Sequence, residues 1–354
     1  MSSAAQRVLA INAGSSSLRF ALFDASEPPR ALLRGKIENI SRPDTRWTIS
    51  DFTTNATSNR AIGTLSQEAA TVHFLDWLAE LPELGSIAAV AHRVVHGLTR
   101  SAPEPVTPRL LAELRHMVGL DPAHLPFEIA LMSAIGERYP SLPQLACFDT
   151  AFHRGMPKVA RILPIPRKFQ ALGIERYGFH GLSYEFLLRE LVRLGDPAAA
   201  RGRVILAHLG SGASLAAVRD GAGIDTSMGF TPASGIMMGT RSGDLDPGLG
   251  SYLEKIQGMD SKQFLHMVNH ASGLLGVSET SSDARDLLAR ESSDERAAET
   301  IGMFCYQVRK CIGAFAAALG GLDTLVFAGG IGENAPSIRD RICRDLGFLG
   351  IEID

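Results

Sequence analysis

Two arginines stand in settings that a surface arginine does not need. Arg93 lies in AHRVVHG (91–97) and Arg241 in GTRSGD (239–244), each among apolar or small residues. A guanidinium projecting from such a rigid setting can clamp an acidic acceptor and neutralise charge spreading over a transferring phosphoryl group. The plainer alternative for each is a structural ion pair. Asp149 ends an apolar stretch, 145–149, where a bare carboxylate is costly to bury. It can orient an arginine or hold a metal or water; equally, it can cap the residues from Ala151 onward. Asn12 also ends an apolar run, and its amide suits a phosphate oxygen or a metal-bound water, with a simple turn as the alternative. Of the ten histidines, His180 and His208 are best placed to donate to a phosphoryl oxygen, and His153 is a weaker third. His73, His116, His266 and His270 read as packing or helix-surface residues. No His/Glu set has zinc spacing, so no structural transition metal is expected.

The elements that must position these groups begin with an echo. VLAINAGSSSLRFALFD (8–24) and VILAHLGSGASLAAV (204–218) both read as an apolar strand, a tight Gly/Ser turn and a returning strand. The first turn holds Gly14, Ser15, Ser16 and Ser17, the second Gly210, Ser211, Gly212, Ala213 and Ser214. Glycines admit backbone N–H groups close to an anion, and small hydroxyls add donors. Two such hairpins suggest two halves gripping one phosphate-rich ligand. A third strand-to-glycine pattern, TLVFAGGIGENAP (324–336), leads into a helix at its Asn-Ala-Pro and suits a nucleotide. No GxxxxGK[ST] is present, and GGIGEN lacks the surroundings of a dinucleotide fingerprint.

Between these landmarks, residues 26–62 are polar and contain proline, reading as a variable connection or further strands. A helix is expected over 67–81, with Val72, Leu75 and Leu78 at helical spacing. Strands are expected at 87–97 and 145–149, and helices over 107–117 and from 127. Residues 225–248 are rich in Gly and Met and suit a wrapping loop that carries Arg241, with Asp244 and Asp246 bracing it. Met228, Met237 and Met238 read as adaptable packing. Residues 294–319 form the clearest long helix.

The bulk properties set limits. The chain has 354 residues, 45% of them hydrophobic and 21% charged, enough for two domains with real cores. The formal charge is −3, with a pI near 6.4, which argues against a general nucleic-acid binder. The start does not read as a signal peptide and no stretch reads as a membrane span. Cys147, Cys305, Cys311 and Cys343 have no metal-ligand spacing and suit reduced, mostly buried thiols in a cytoplasmic protein.

INAGSSSLRF, HRVVHG, FDTAFH, YGFHG, HLGSGAS, DTSMGFTP, MMGTRSGDLDPG, SGLLG, SDARD and GGIGEN occur in order from residue 11 to residue 334. In this the sequence resembles the acetate kinase family, the short-chain carboxylate kinases of the sugar-kinase/heat-shock-protein/actin superfamily. The resemblance implies an α/β fold of duplicated ribonuclease-H-like (actin-like ATPase) domains around a central cleft. The expected boundaries are 1–150, the acceptor and phosphate side, and 151–354, the nucleotide side. It implies reversible ATP-dependent phosphorylation of acetate by direct in-line transfer, with Mg2+ (or Mn2+), in a cytoplasmic homodimer that needs neither nucleic acid nor membrane. Arg93, Asp149, Arg241 and His180 would be catalytic. Arg93, Val95, Leu120, Phe179 and Pro232 would bind the acceptor. Asn12 would lie at the metal. Ser16, Arg19, His208, Gly210, Ser211, Gly212, Asp283, Ala284, Arg285, Gly330, Ile331, Gly332, Glu333 and Asn334 would surround the nucleotide.

Four departures from the family pattern stand out. Arg19 replaces a lysine, Leu98 replaces the second glycine of HGG, and Ser211 replaces an asparagine. The PLHNP motif becomes VGLDPAHLP (118–126), with Asp121 near the expected histidine, which leaves acyl-chain length open. The family also continues past GGIGEN with a glutamate that helps position Mg2+ and a further strand. A second domain shortened at its C-terminus would expose a sheet edge. The readings are therefore an acetate kinase, a kinase of another short carboxylate such as propionate, or a catalytically impaired nucleotide-binding relative.

Overall fold

The computed structural model describes residues 6–14 and 16–353, so Ser15 of the first glycine turn lies outside the described residues. The chain divides into two compact units, one reaching Ala151 and the other starting at Phe152. Each is α/β with its own sheet.

The first unit holds eight strands: β1 (Arg7–Gly14), β2 (Ser17–Asp24), β3 (Ala31–Glu38), β4 (Arg46–Asp51), β5 (Ala56–Ala61), β6 (Ile87–Val94), β7 (Glu104–Pro105) and β8 (Gln144–Phe148). Their order in the sheet is β5-β4-β3-β2-β1-β6-β8-β7. Residues 26–62 thus contribute three strands. Alternation sets the faces of the first hairpin: Leu9 lies opposite Leu22, Ile11 opposite Phe20 and Ala13 opposite Leu18, all buried. Asn12 and Arg19, also opposite each other, take the other face. β6 runs parallel to β1, and β8 parallel to β6. Asn12 near the end of β1, Arg93 near the end of β6 and Asp149 just past β8 therefore collect at the carboxyl ends of three adjacent strands, where α/β sheets place ligands.

The helix Gln67–Glu80 covers the core face, with the Ser66 hydroxyl accepting from the Ala69 N–H at 3.1 Å as N-cap. Its buried stripe is Thr71, Phe74, Leu75 and Leu78, while Val72 is 56% exposed. Phe74 and Trp77 pack on Phe20, with ring centroids 4.9 and 4.6 Å away, and Trp47 completes the aromatic cluster. Leu131 and Ile135 of the helix Leu125–Arg138 join the same core.

The second unit has four strands, β9 (Arg203–Leu209), β10 (Ala213–Arg219), β11 (Ala222–Thr226) and β12 (Thr324–Ala328), in the order β11-β10-β9-β12. The local pattern repeats that of the first unit. β9 pairs antiparallel with its hairpin partner β10 and parallel with the later β12, as β1 does with β2 and β6. β9 has a neighbour on each side, and its apolar stretch 204–207 is fully buried, as a strand covered on both faces requires. The helix Glu295–Leu319 starts at an Asp294 N-cap and ends at Gly320 in the left-handed region, φ 73°. β12 is the outermost strand among the described residues, its side chains half-buried up to Ala328. No helix among the described residues is long and apolar enough to cross a membrane.

Candidate active site

In the first unit the site is organised around Arg93. Its Nε donates to Asp149 Oδ2 at 3.0 Å, Nη2 donates to the same oxygen, and Nη1 donates to Asn12 Oδ1 at 3.0 Å. Asp149 is 1% exposed, and its backbone N–H is held by the Val94 carbonyl at 2.9 Å. Burial works against the charge on Arg93, but Asp149, then Glu128 and Asp121, more than offset it and hold its pKa above the ordinary arginine value. Arg93 is thus an ion pair, yet it is not used up by one. Three of its five N–H groups are engaged among the described residues, leaving one on each terminal nitrogen, and a quarter of the side chain is exposed. A carboxylate or phosphoryl oxygen pair matches such a remaining fork.

One acid near Arg93, Glu128, is not among the residues expected from the sequence. Glu128 lies on the buried stripe of its helix, and its carboxyl accepts the Val95 N–H at 3.2 and 3.3 Å. Burial pushes its pKa up to about 8, against the lowering effect of Arg93. The sequence signal was there, an acid inside the apolar run LPFEIALM. In the altered 118–126 loop, His124 Nδ1 pairs with both Asp121 oxygens at 2.9 and 3.1 Å. Asp121 stands out in the sequence as a departure from the family pattern, whereas its partner His124, three residues on, does not.

Other expected residues of this unit do less. Val95 is buried, and Leu120 packs on the core of Leu110, Leu114 and Phe148. Arg19 is an exposed cross-strand partner of Glu38 at 3.9 Å, and Ser16 is exposed in its turn. Leu98 has φ 51°, a left-handed conformation that suits glycine.

No metal cage is built by these residues. The Asn12 and Asp149 oxygens turn toward the Arg93 guanidinium, and no cluster of three His, Cys, Asp or Glu among the described residues could hold an ion. The Mg2+ expected from the family resemblance does not require such a cluster, because it binds through one or two side-chain oxygens together with phosphate oxygens and water. Its natural carrier is the nucleotide, since Mg2+ keeps its waters and prefers phosphate oxygens.

In the second unit the glycine turn after β9 is the focus. Gly210 N–H bonds the Gly212 carbonyl at 3.1 Å, and the Ser211 carbonyl accepts from Gly239 N–H at 2.9 Å. His208 closes β9, and His180, at φ 59°, stands at the start of the helix Gly181–Arg193. Their rings stack with centroids 4.4 Å apart. A Cβ at Gly212 would come within 3.3 Å of His180 Nε2 and 3.7 Å of Arg241 Nη1, and one at Gly210 within 3.9 Å of His208 Nε2. The structure therefore brings His180, His208, Arg241 and the 210–212 turn together. Phe179 is buried, and its carbonyl accepts from His153 Nε2 at 2.9 Å, so His153 supports the backbone next to His180.

Residues 227–247 contain no helix or strand, and polar braces hold them in place. Arg241 Nη1 donates to the Pro232 carbonyl at 3.0 Å. Asp244 accepts from Gly235 N–H at 2.8 Å, and Asp246 accepts from Gly248 N–H at 2.7 Å. Met228, Met237 and Met238 are fully buried. Arg176, not anticipated from the sequence, donates through Nη1 to the Thr226 and Met228 carbonyls at 3.0 and 3.1 Å, and through Nε to that of Ala160 at 3.1 Å.

GGIGEN is a short helix, Gly329–Asn334, and not an open loop. Gly329, at φ 79°, lies so close to Leu209 that a Cβ would be 2.6 Å from its carbonyl oxygen. The Gly330 nitrogen is 3.9 Å from the Cβ position of Gly210, so the two glycine segments meet. Ile331 and Gly332 continue that turn, with Gly332 buried. Glu333 accepts from Gly329 N–H and Asn334 donates to the Gly330 carbonyl, so both side chains engage their own backbone. Asp283 caps the helix Ala284–Arg290 through the Arg285 N–H at 2.9 Å, while the Arg285 side chain, 88% exposed, folds back onto it. Neighbouring Ser282 approaches Gly239, the residue bonded to Ser211.

An arginine fixed at the carboxyl ends of parallel strands and a glycine turn lined by histidines suit an α/β chain of the class that transfers phosphoryl groups. The comparison with known proteins is specific. Residues 7–354 match the model of the acetokinase family, and the chain belongs to that family. It is 43% identical over 352 residues to an acetate kinase of Rhodopseudomonas palustris, covering 98% of this chain and 88% of that protein. A propionate kinase of Citrobacter rodentium is 40% identical, covering 98% and 87%. Among solved structures, a propionate kinase from Francisella tularensis aligns with a TM-score of 0.91 at 34% identity, covering 99% of this chain and 90% of that one. The protein is a phosphotransferase of this family, with a short-chain carboxylate as acceptor and ATP as donor.

Proposed function

We propose that this chain phosphorylates acetate with ATP, reversibly, giving acetyl phosphate and ADP. The observation that carries the reading is Arg93, fixed by Asp149 and Asn12 and still holding one donor on each terminal nitrogen. It binds the acceptor carboxylate; Val95 and Leu120 of the same unit, and Phe179 and Pro232 of the second unit, are the further acceptor residues that the family resemblance implies. Arg241, His180, His208 and the 210–212 turn receive the nucleotide's phosphates. A carboxylate oxygen attacks the γ-phosphorus as the bond to the β–γ bridging oxygen breaks, so no side chain is phosphorylated and no proton need move. The pre-fixed guanidinium and imidazoles stabilise the spreading charge without reorganising. Mg2+ accompanies the nucleotide, and no step here is assigned to it.

The matching strand order of the two units supports reading them as duplicated ribonuclease-H-like domains. The family resemblance also implies a cytoplasmic homodimer, which sedimentation would test. Propionate is the second reading, favoured by the Asp121–His124 pair in the altered loop and by the relative named as a propionate kinase. The test is ADP release from Mg-ATP with acetate, propionate and butyrate, and ATP formation from each acyl phosphate. Acetate should give the highest kcat/KM, and Arg241→Ala should lower kcat at least about a hundredfold. Turnover unaffected by Arg241→Ala would remove the proposed site, and no transfer in either direction would remove the proposed activity.

A further inference from the structure

Both imidazoles at the glycine turn have the same arrangement. His180 Nδ1 lies 2.8 Å from Ser214 Oγ, and that oxygen lies 2.5 Å from the Tyr184 hydroxyl. His208 Nδ1 lies 2.9 Å from Ser183 Oγ. In each ring the inner nitrogen meets a hydroxyl, and the other nitrogen, Nε2, faces the 210–212 turn. We propose that Ser214, backed by Tyr184, and Ser183 hold His180 and His208 as neutral imidazoles protonated on Nε2, so that two fixed N–H donors meet the phosphoryl oxygens at this turn.

The direction of the protons follows from donor chemistry. Ser214 is fully buried, and among the described residues its hydroxyl oxygen touches only His180 and Tyr184. Its single proton must go to one of them, since a buried donor left unmade costs about 1–3 kcal/mol. A phenol is the stronger donor and the poorer acceptor of the two hydroxyls, so Tyr184 donates to Ser214 and Ser214 donates to His180 Nδ1. A nitrogen that accepts carries no proton, and in a neutral ring the proton is then on Nε2. Ser183, half-buried and with no phenol behind it among the described residues, is assigned the same role toward His208 from the matching Nδ1 contact and the matching Nε2 side at the turn. Charge supports the assignment. Two imidazolium rings stacked at 4.4 Å would repel each other, and Arg241 Nη1 reaches the same Gly212 position as His180 Nε2. A neutral donor also keeps its proton while phosphate charge builds up beside it.

Ser214, Tyr184 and Ser183 are then positioning residues. That the oxyanion belongs to ATP rests on the kinase reading above, but the tautomers do not. The test is nitrogen NMR of the full chain labelled with 15N-histidine at pH 7.5, with His180→Asn and His208→Asn used for assignment. Both rings should show a protonated Nε2 and an unprotonated Nδ1. Ser214→Ala should move His180 alone into a mixture of tautomers. It should also lower kcat about tenfold while the KM for acetate moves less than about twofold. Protonated Nδ1, or a doubly protonated ring, at either histidine of the unsubstituted protein overturns the proposal even if no variant folds. So does an unchanged His180 tautomer in a folded Ser214→Ala protein. Fixed tautomers in a protein with no turnover would instead refute the kinase reading alone.

Discussion

Replacing Glu128 by glutamine removes one titrating group from a nearly dry position, and the effect should appear in how stability varies with pH. Glu128 is 2% exposed, and burial raises its pKa from 4.5 to about 8 despite the nearby Arg93. The folded state therefore holds a proton that the unfolded chain releases at the ordinary carboxylate value. Throughout that window the unfolded state binds fewer protons, so this group makes stability fall as pH rises from about 4.5 to about 8 and level off above. One pKa unit corresponds to about 1.4 kcal/mol, so between pH 5.5 and 7.5 the wild type should lose about 2–3 kcal/mol relative to the variant. Glutamine keeps a carbonyl for the Val95 N–H, which limits other changes. The assay is urea unfolding followed by tryptophan fluorescence. The chain's two tryptophans, Trp47 and Trp77, sit in the core of the unit that holds Glu128 and report on it alone. A stability difference between Glu128→Gln and wild type that stays flat from pH 5.5 to 8 would refute a neutral Glu128.

Leu98→Gly should leave stability within about 1 kcal/mol of wild type, because relief of the left-handed strain at φ 51° is offset by loss of the Leu98 side chain's packing on the Leu110 and Leu114 core and by the freer unfolded chain. Thermal unfolding would show a Tm close to that of the wild type. Arg176→Ala should lower kcat and raise KM together by leaving the Thr226 and Met228 carbonyls unpaired, at a cost of about 2–3 kcal/mol in stability. Steady-state kinetics and urea melts read the two effects. Burial pushes Cys305, Cys311 and Cys343 up to about 11, 12 and 11. These three should react with iodoacetamide at pH 7.5 at least about a hundredfold more slowly than a free thiol until urea is added, as mass spectrometry would show.

The strands at the site were legible because alternation and a following glycine turn are local signals. The grouping of Asn12, Arg93 and Asp149 was less so, since it depends on parallel pairing of β1, β6 and β8 across long stretches of chain. Over 67–81 the helix was clear but its inner face was not. Val72, Leu75 and Leu78 drift around the axis, whereas Thr71, Phe74, Leu75 and Leu78 hold one stripe, fixed by the aromatic cluster with Phe20. GGIGEN gives no helical signal in the sequence because glycines disfavour helix, and the close approach of Gly329 to Leu209 is a tertiary fact. That Asp283 caps the helix Ala284–Arg290 depends on where that helix starts, which the motif SDARD does not fix. Tyr184 and Ser183 carry no sequence signature, and Ser214, expected in the turn as a donor to the anion, lies in β10 with its hydroxyl on His180; a hydroxyl shows its use only once its neighbour is known.

The ladder around β9 restricts how this chain can change over generations. His208 is in register with Ser214 on one side and with Ala328, the residue before the Gly329–Asn334 helix, on the other. Adding or deleting one residue in any of these three strands would turn alternate side chains to the opposite face and unseat all three segments together. Substitution is the only route of change open there. Length variation is free to accumulate in places such as the β4–β5 hairpin, where β5 is exposed along its whole length and carries none of the site.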